Sequence, residues 1–265
     1  MTEQAKPATP ATPPAPQPIS AGGLQLPPWP QSDFAAFGEV EIQPVSKIQQ
    51  LVGSFLHRNW VMIPHVTHFE EADITAQEAQ RKQLNAAQPD LKVTPLIYLL
   101  KAVVSALKAY PRFNASLDGT GKNLVLKKYF HIGVAVDTPN GLVVQVIRDC
   151  DKKPVTDLAK EVAAISEKAR TKGLTMQEMS GGCFSISSLG NLGGTAFTPI
   201  INAPEVAILG VNKAQLKPAN VGGELQWRLM LPLSLSYDHR VINGADAARF
   251  CNHLAEVLAD PAALA

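Results

Sequence analysis

The sequence is poor in cysteine, in net charge and in long apolar runs, and each shortage removes a class of protein. Its 265 residues hold three cysteines, Cys150, Cys183 and Cys251. An odd number at wide spacing supports neither a disulfide framework nor a zinc site and reads as reduced, buried thiols of a cytoplasmic protein. Lys plus Arg number 24 against 23 for Asp plus Glu, a formal net charge of +1, so the global basic excess of a nucleic-acid-binding surface is missing. The longest apolar stretch, Leu96 to Tyr110, is interrupted by Lys101 and Lys108 and is no membrane span. No cationic region followed by an apolar one opens the chain, so no secretory signal is expected. His65 and His68 fall in a segment read as strand, where residues three apart point to opposite faces, so no metal is expected. Gly190-Asn-Leu-Gly-Gly194 lacks the spacing of a dinucleotide fingerprint.

What the chain does have is proline. Of 21 prolines, nine lie within the first 30 residues, interleaved with alanine. That composition leaves no apolar period to bury, so residues 1–28 read as an extended Pro/Ala linker. Residues 29–265 then form one body, and with 46% hydrophobic residues overall a large buried core is expected there.

Periodicity within that body predicts helices over Ile48–Asn59, Thr75–Ala87, Thr94–Tyr110 and Val155–Lys172, the last ended by Gly173, and from about Gly244 to Leu258. Thr175 and Glu178 form a capping-box pattern for a further short helix. Strands are expected at Val61–Phe69, Cys183–Ser188, Val206–Asn212 and Leu225–Ser236. A hairpin with arms Leu124–Val136 and Leu142–Ile147 is expected around Asp137-Thr-Pro-Asn-Gly141. Strands that come in clusters rather than in regular βα units argue for an α+β fold, an antiparallel or mixed sheet covered by helices.

The chemistry concentrates in Ser234 to Phe250. A strand ends in Tyr237-Asp238-His239-Arg240, a turn holds Asn243 and Gly244, and a helix begins. An imidazole at such a junction is placed to act as a general base. From spacing alone, His239 reads equally as a hydrogen-bonded turn residue and Asn243 as the helix cap, with Asp246 completing it. Ser187 reads as an ordinary strand hydroxyl, and Cys183 as a buried thiol rather than a nucleophile.

Asp238-His-Arg-Val-Ile-Asn-Gly244 resembles the His-x-x-x-Asp-Gly motif of the dihydrolipoamide acyltransferases, the core-forming components of 2-oxo acid dehydrogenase complexes. Pro64-His-Val-Thr67, Ala72-Asp-Ile-Thr75, Pro111-Arg-Phe-Asn-Ala-Ser116, Ile132-Gly-Val-Ala-Val-Asp137, Gly182-Cys-Phe-Ser-Ile-Ser-Ser188 and Ala203-Pro-Glu-Val-Ala-Ile-Leu-Gly210 resemble further blocks of that catalytic domain, in its order. The likeness runs from about Trp29 to Asp260 and is strongest to the acetyl-transferring branch, the cores of pyruvate dehydrogenase complexes.

The resemblance implies an α/β sandwich like that of chloramphenicol acetyltransferase, a mixed sheet flanked by helices. It implies a homotrimer with active sites between subunits, and in many relatives a 24-subunit cube built through an apolar C-terminus, where this chain offers only Leu264. The implied substrates are coenzyme A and the dihydrolipoyl arm of a lipoyl domain, supplied in trans or by modules outside this chain. The other components of the complex are the implied partners. His239 takes the place of the catalytic base and Ser187 that of the oxyanion donor. Asn243 stands where many relatives carry Asp, and an amide brings no charge. Arg240 is implied to pair with Asp137 and so orient the His239 segment, and Arg81 to contact the phosphates of coenzyme A. A non-catalytic scaffold of the same fold, a succinyl- or branched-chain-specific enzyme, and an acetyltransferase acting on a free small molecule are the alternatives.

Overall fold

A closed capping box starts the first long helix. The Ser46 hydroxyl accepts from the Gln49 N–H at 3.2 Å, and Gln49 Oε1 accepts from the Ser46 N–H at 3.0 Å, satisfying two amides that a helix start leaves open. This helix, α1 (Lys47–Met62), runs past its expected end at Asn59, so Val61 and Met62 are helical and not the start of a strand. The structure, a computed structural model, describes residues 19–21, 24–26, 30–139 and 141–264. They fall into two compact units, divided between Val45 and Ser46; the expected boundary after residue 28 lies inside the first. Residues 1–18, 22–23 and 27–28 of the expected linker lie outside the described residues. Between them, β1 (Ile19–Ala21) and β2 (Leu24–Leu26) pair antiparallel.

In the second unit, β3 (His65–Asp73) leads to α2 (Thr75–Ala87) and α3 (Pro95–Ala109), both within a residue of their expected bounds. The arm expected from Leu124 to Val136 is two strands. β4 (Ala115–Leu117) pairs antiparallel with β5 (Leu124–Leu126), apart from the main sheet. Beyond it β6 (Ile132–Thr138) turns back through β7 (Gly141–Ile147) as the expected hairpin, with Thr138 opposite Gly141. α4 (Val155–Thr171) ends where Gly173 takes a φ of +78°, a left-handed position that a side chain would strain. The Thr175 and Glu178 capping contacts do form, but only a turn follows them, since Gly181 and Gly182 stop the chain before a helix can propagate.

The sheet is completed by β8 (Phe184–Ser188), β9 (Ala207–Val211), β10 (Gln215–Val221) and β11 (Glu224–Asp238), and α5 (Gly244–Ala259) follows. β10 was not expected, because Lys217 and Pro218 break its apolar run. Strand order is β10-β11-β9-β8-β6-β7, with β3 lying along the second half of β11. β6, β8 and β9 run parallel and the remaining pairs antiparallel. The sheet is mixed and carries helices, as expected.

One face of the sheet is sealed by α3 and α5. α3 is buried over most of its circumference, from Ile97 to Leu107. Phe250 of α5 stacks on Phe113 at 4.1 Å and approaches Phe184 at 5.9 Å. Each of these rings is buried, which stabilises the fold by about 2 to 3 kcal/mol per ring. Leu264 packs into this same core rather than projecting as an anchor. α1 contrasts with α3: Ile48, Leu51, Phe55 and Trp60 are all about half exposed, with Trp60 stacked on His65 at 5.4 Å.

Candidate active site

The end of β11 leads into two exposed residues, His239 and Arg240, between buried ones. Alternation along the strand buries Tyr237 against the helices and turns Asp238 to the other face, where Asp238 is only 2% exposed. Its carboxylate takes Arg240 in a fork: Nε donates to Oδ1 at 2.9 Å, Nη2 donates to Oδ2 at 2.6 Å, and the Arg240 backbone N–H adds a bond to Oδ1 at 3.0 Å. The hydrogen bonds it donates to Asp238 hold the Arg240 guanidinium above its usual pKa. The Asp238 carbonyl accepts from both the Val241 and the Ile242 N–H at 2.9 Å, and Arg112 Nη2 donates to the Val241 carbonyl at 2.7 Å. Asn243 then caps α5, its Oδ1 accepting from the Asp246 N–H at 2.9 Å.

His239 lies inside this frame. Its N–H donates to the Pro64 carbonyl at 3.1 Å and its ring lies 6.0 Å from that of Tyr237. The side chain is exposed, and among the described residues the imidazole has no hydrogen-bond partner. It is held by its backbone and left open for chemistry. His65, opposite Asp238 in the β3–β11 register, is the reverse case. Its Nδ1 bonds to the Ile63 carbonyl at 2.8 Å, and its Nε2 accepts from the Ile201 N–H at 3.0 Å. Both nitrogens of a neutral ring are thereby used to tie three segments together.

Ser187 is half-buried on β8, and its hydroxyl has no partner among the described residues. The register shows how far it stands from His239. Ser187 pairs with Gly210 and Gly210 with Ser234, so Ser187 is level with Ser234 and not with the end of β11. The offset is about 16 Å along the strands and about 10 Å across them. A single chain does not bring the expected base and oxyanion donor together.

Two expected site residues have partners inside the chain. Asp137 lies at the opposite end of the sheet from Arg240, because β6 runs parallel to β8 and β9 while β11 runs against them. The partner of Arg240 within the chain is therefore Asp238, a residue that the motif itself contains. Arg81 does not reach into solvent. Its Nε and Nη2 each donate to Glu78 at 2.7 Å, and its Nη1 donates to the Val93 carbonyl at 2.8 Å. With every nitrogen engaged inside the protein, the guanidinium braces α2 against the segment before α3.

Sequence reasoning also missed Glu205. It lines a cleft of about 420 Å³ together with Arg58, Asn59, Gly119, Asp238 and Arg240. It is 4% exposed, and burial pushes its carboxyl up to about 7. A Cβ on Gly182 would lie 2.9 Å from Glu205 Oε1, so Gly182 in the recognisable block leaves room for this carboxylate. Lys127, half-buried nearby, is pushed down by the same loss of solvent. The cysteines are free and buried as expected; burial pushes Cys150 and Cys251 up to about 12 and raises Cys183.

Known proteins resemble the chain over most of its length. Residues 37–265 match the family of 2-oxoacid dehydrogenases acyltransferase (catalytic domain). The dihydrolipoyllysine-residue acetyltransferase component of the pyruvate dehydrogenase complex of Cupriavidus necator is 59% identical over 241 residues, 90% of this chain and 43% of that protein. The counterpart in Haemophilus influenzae is 55% identical over 245 residues, covering 91% of this chain and again 43% of its own. The chain thus spans less than half the length of these curated relatives. A crystal structure that addresses the roles of a serine, a histidine and an asparagine in the catalytic mechanism of Azotobacter vinelandii dihydrolipoamide acetyltransferase superposes with a TM-score of 0.88. It is 55% identical and covers 90% of this chain and 99% of that one. The cubic core of a pyruvate dehydrogenase multienzyme complex gives the same values. Chloramphenicol acetyltransferase, 17% identical with a TM-score of 0.53 over 81% of this chain and 96% of that one, shares the fold.

Proposed function

Since the chain belongs to the 2-oxoacid dehydrogenase acyltransferases by their catalytic domain, we propose that it moves an acetyl group between a dihydrolipoyl arm and coenzyme A in the core of a pyruvate dehydrogenase complex. The observation that carries this reading is an accessible imidazole held only by its backbone, paired with a strand hydroxyl that has no other partner. Ser187, His239 and Asn243 also stand at the same intervals along the chain as the serine, histidine and asparagine of the Azotobacter enzyme.

A thiol of pKa about 8.5 is mostly protonated at neutral pH. His239 takes the proton as the thiol sulfur bonds to the thioester carbonyl carbon. The carbonyl oxygen becomes an oxyanion and accepts from the Ser187 hydroxyl. The bond to the leaving sulfur then breaks, and the imidazolium returns the proton to the departing thiolate. General-base catalysis contributes about 10²–10⁴-fold, and one oxyanion donor about 3 kcal/mol. Asn243 keeps the strand-to-helix turn in place and needs no charge for this sequence of steps.

The offset between Ser187 and His239 supports a site shared between subunits of a homotrimer, with Ser187 of one chain meeting His239 of the next. The half-exposed apolar side of α1 supports burial in such an assembly. Asp137 lies toward the Ser187 end, so its pairing with Arg240 belongs to the same interface, where Arg240 Nη1 is still unused by the chain. Trimers joining into a 24-subunit cube, lipoyl domains and the other complex components as partners, and a cytoplasmic location that keeps three free thiols reduced complete the reading.

An assay of dihydrolipoamide with acetyl-coenzyme A tests it. Acetyl transfer by the wild type and its loss in His239→Ala are expected. Near wild-type turnover by that variant would remove His239 as the base, and failure to bind coenzyme A in calorimetry would favour a scaffold.

A further inference from the structure

The face of the sheet that carries Ser187 has a gap in its side chains at the neighbouring position, and an aromatic ring fills it. Ser187, Gly210 and Ser234 form one row across β8, β9 and β11, and residues directly opposite one another in such a row share a face. A Cβ on Gly210 would lie 2.8 Å from Phe197 Cζ, 3.0 Å from Cε1 and 3.2 Å from Cε2. The ring of Phe197 therefore stands tip-down on Gly210, between the two serines, where no residue larger than glycine leaves it space. The loop that carries it is fixed to β9: the Leu189 N–H donates to the Val211 carbonyl at 2.8 Å, and Asn212 Nδ2 donates to the Gly193 carbonyl at 3.2 Å. Phe69 continues the row beyond Ser234. There a cavity of about 350 Å³ opens, walled by Phe69, Pro232, Thr195 and Ala196, the last two leading directly into Phe197.

We propose that Phe197, seated on Gly210, sets the length of acyl group this protein transfers, by filling the space above Gly210 beside Ser187 so that a two-carbon acyl group fits and longer ones do not. This rests on the acyl-transfer reading above. An acyl carbonyl whose oxygen takes the Ser187 hydroxyl at about 2.7 to 3.1 Å carries its next carbons within reach of the row's neighbour, which is the ring.

The test is kcat/KM for acetyl-, butyryl- and isobutyryl-coenzyme A with dihydrolipoamide, for wild type, Phe197→Leu and Phe197→Ala. The wild type is expected to prefer acetyl. Phe197→Ala raises the butyryl-to-acetyl ratio by about tenfold or more, the range a few methylenes of pocket space command, and Phe197→Leu falls between. An active wild type whose ratio moves less than about twofold in either variant overturns the inference alone. A wild type that transfers no acyl group overturns the acyl-transfer reading and this inference with it. Phe197→Leu keeps an apolar filler on Gly210 and decides the matter by itself if the alanine variant does not assemble.

Discussion

Ser187 is in register with Ser234 on the last strand of the sheet, so His239, beyond the end of that strand, lies about 16 Å further along it. No rotamer of either residue closes such a distance. A base and an oxyanion donor so placed act on one substrate only if different chains supply them.

Mixed assemblies follow from this. His239→Ala loses about 10²–10⁴-fold in turnover and Ser187→Ala about 10²–10³-fold. When the two inactive proteins are dissociated, mixed and reassembled, random pairing at heterologous interfaces restores about a quarter of the sites, and activity rises well above that of either parent. A mixture no more active than its components places both residues of each site in one chain.

Arg81 separates a brace from a phosphate ligand. Arg81→Ala removes three hydrogen bonds to Glu78 and Val93 and leaves the half-buried Glu78 carboxylate, now held below its usual pKa chiefly by the Arg81 hydrogen bonds, without its partner. A loss of about 1 to 3 kcal/mol in stability is expected, with KM for coenzyme A unchanged within about twofold. An unchanged melting temperature with a raised KM would return Arg81 to the coenzyme.

Glu205 makes stability depend on pH. Its carboxyl rises from 4.5 to about 7 on burial, so between those values the folded chain holds a proton that the unfolded chain has lost. Stability therefore falls as pH rises through this window and levels off above it. Glu205→Gln stays neutral throughout, and its melting temperature is expected to be flatter from pH 5 to 8 and above that of the wild type at pH 8. Parallel curves for the two proteins would remove Glu205 as the source.

The thiols are chemically silent while the fold is intact. With Cys150 and Cys251 pushed up to about 12 and Cys183 also raised by burial, almost no thiolate is present at pH 8. Ellman's reagent is expected to titrate none of the three in the native protein and all three after unfolding. Rapid native labelling of any one would show that its segment opens.

Helices were legible in the sequence because their signals are local. The period of α2, α3, α4 and α5, the Asn243 cap and Gly173 act within a few residues of where they stand, and the structure keeps those bounds closely. Short strands were not. Leu124–Leu126 and Ile132–Thr138 have the same apolar character, and nothing within either says that one pairs with Ala115–Leu117 and the other with the central sheet. β10 was hidden by Lys217 and Pro218, which an edge strand tolerates. The Thr175 box formed its bonds and no helix, since a cap lowers the cost of starting one but cannot extend it through two glycines.

The sequence by itself determined the candidate groups of the proposed reaction, an imidazole ahead of a capped helix and a strand serine, together with the blocks that mark the acyltransferase family. Only the tertiary structure decided what those groups face. The pairing of Arg240 with Asp238 inside the chain, the inward turn of Arg81, the separation of Ser187 from His239 and the ring of Phe197 on Gly210 all depend on strand order and register. Those are settled by contacts between residues far apart in the chain, which no local pattern encodes.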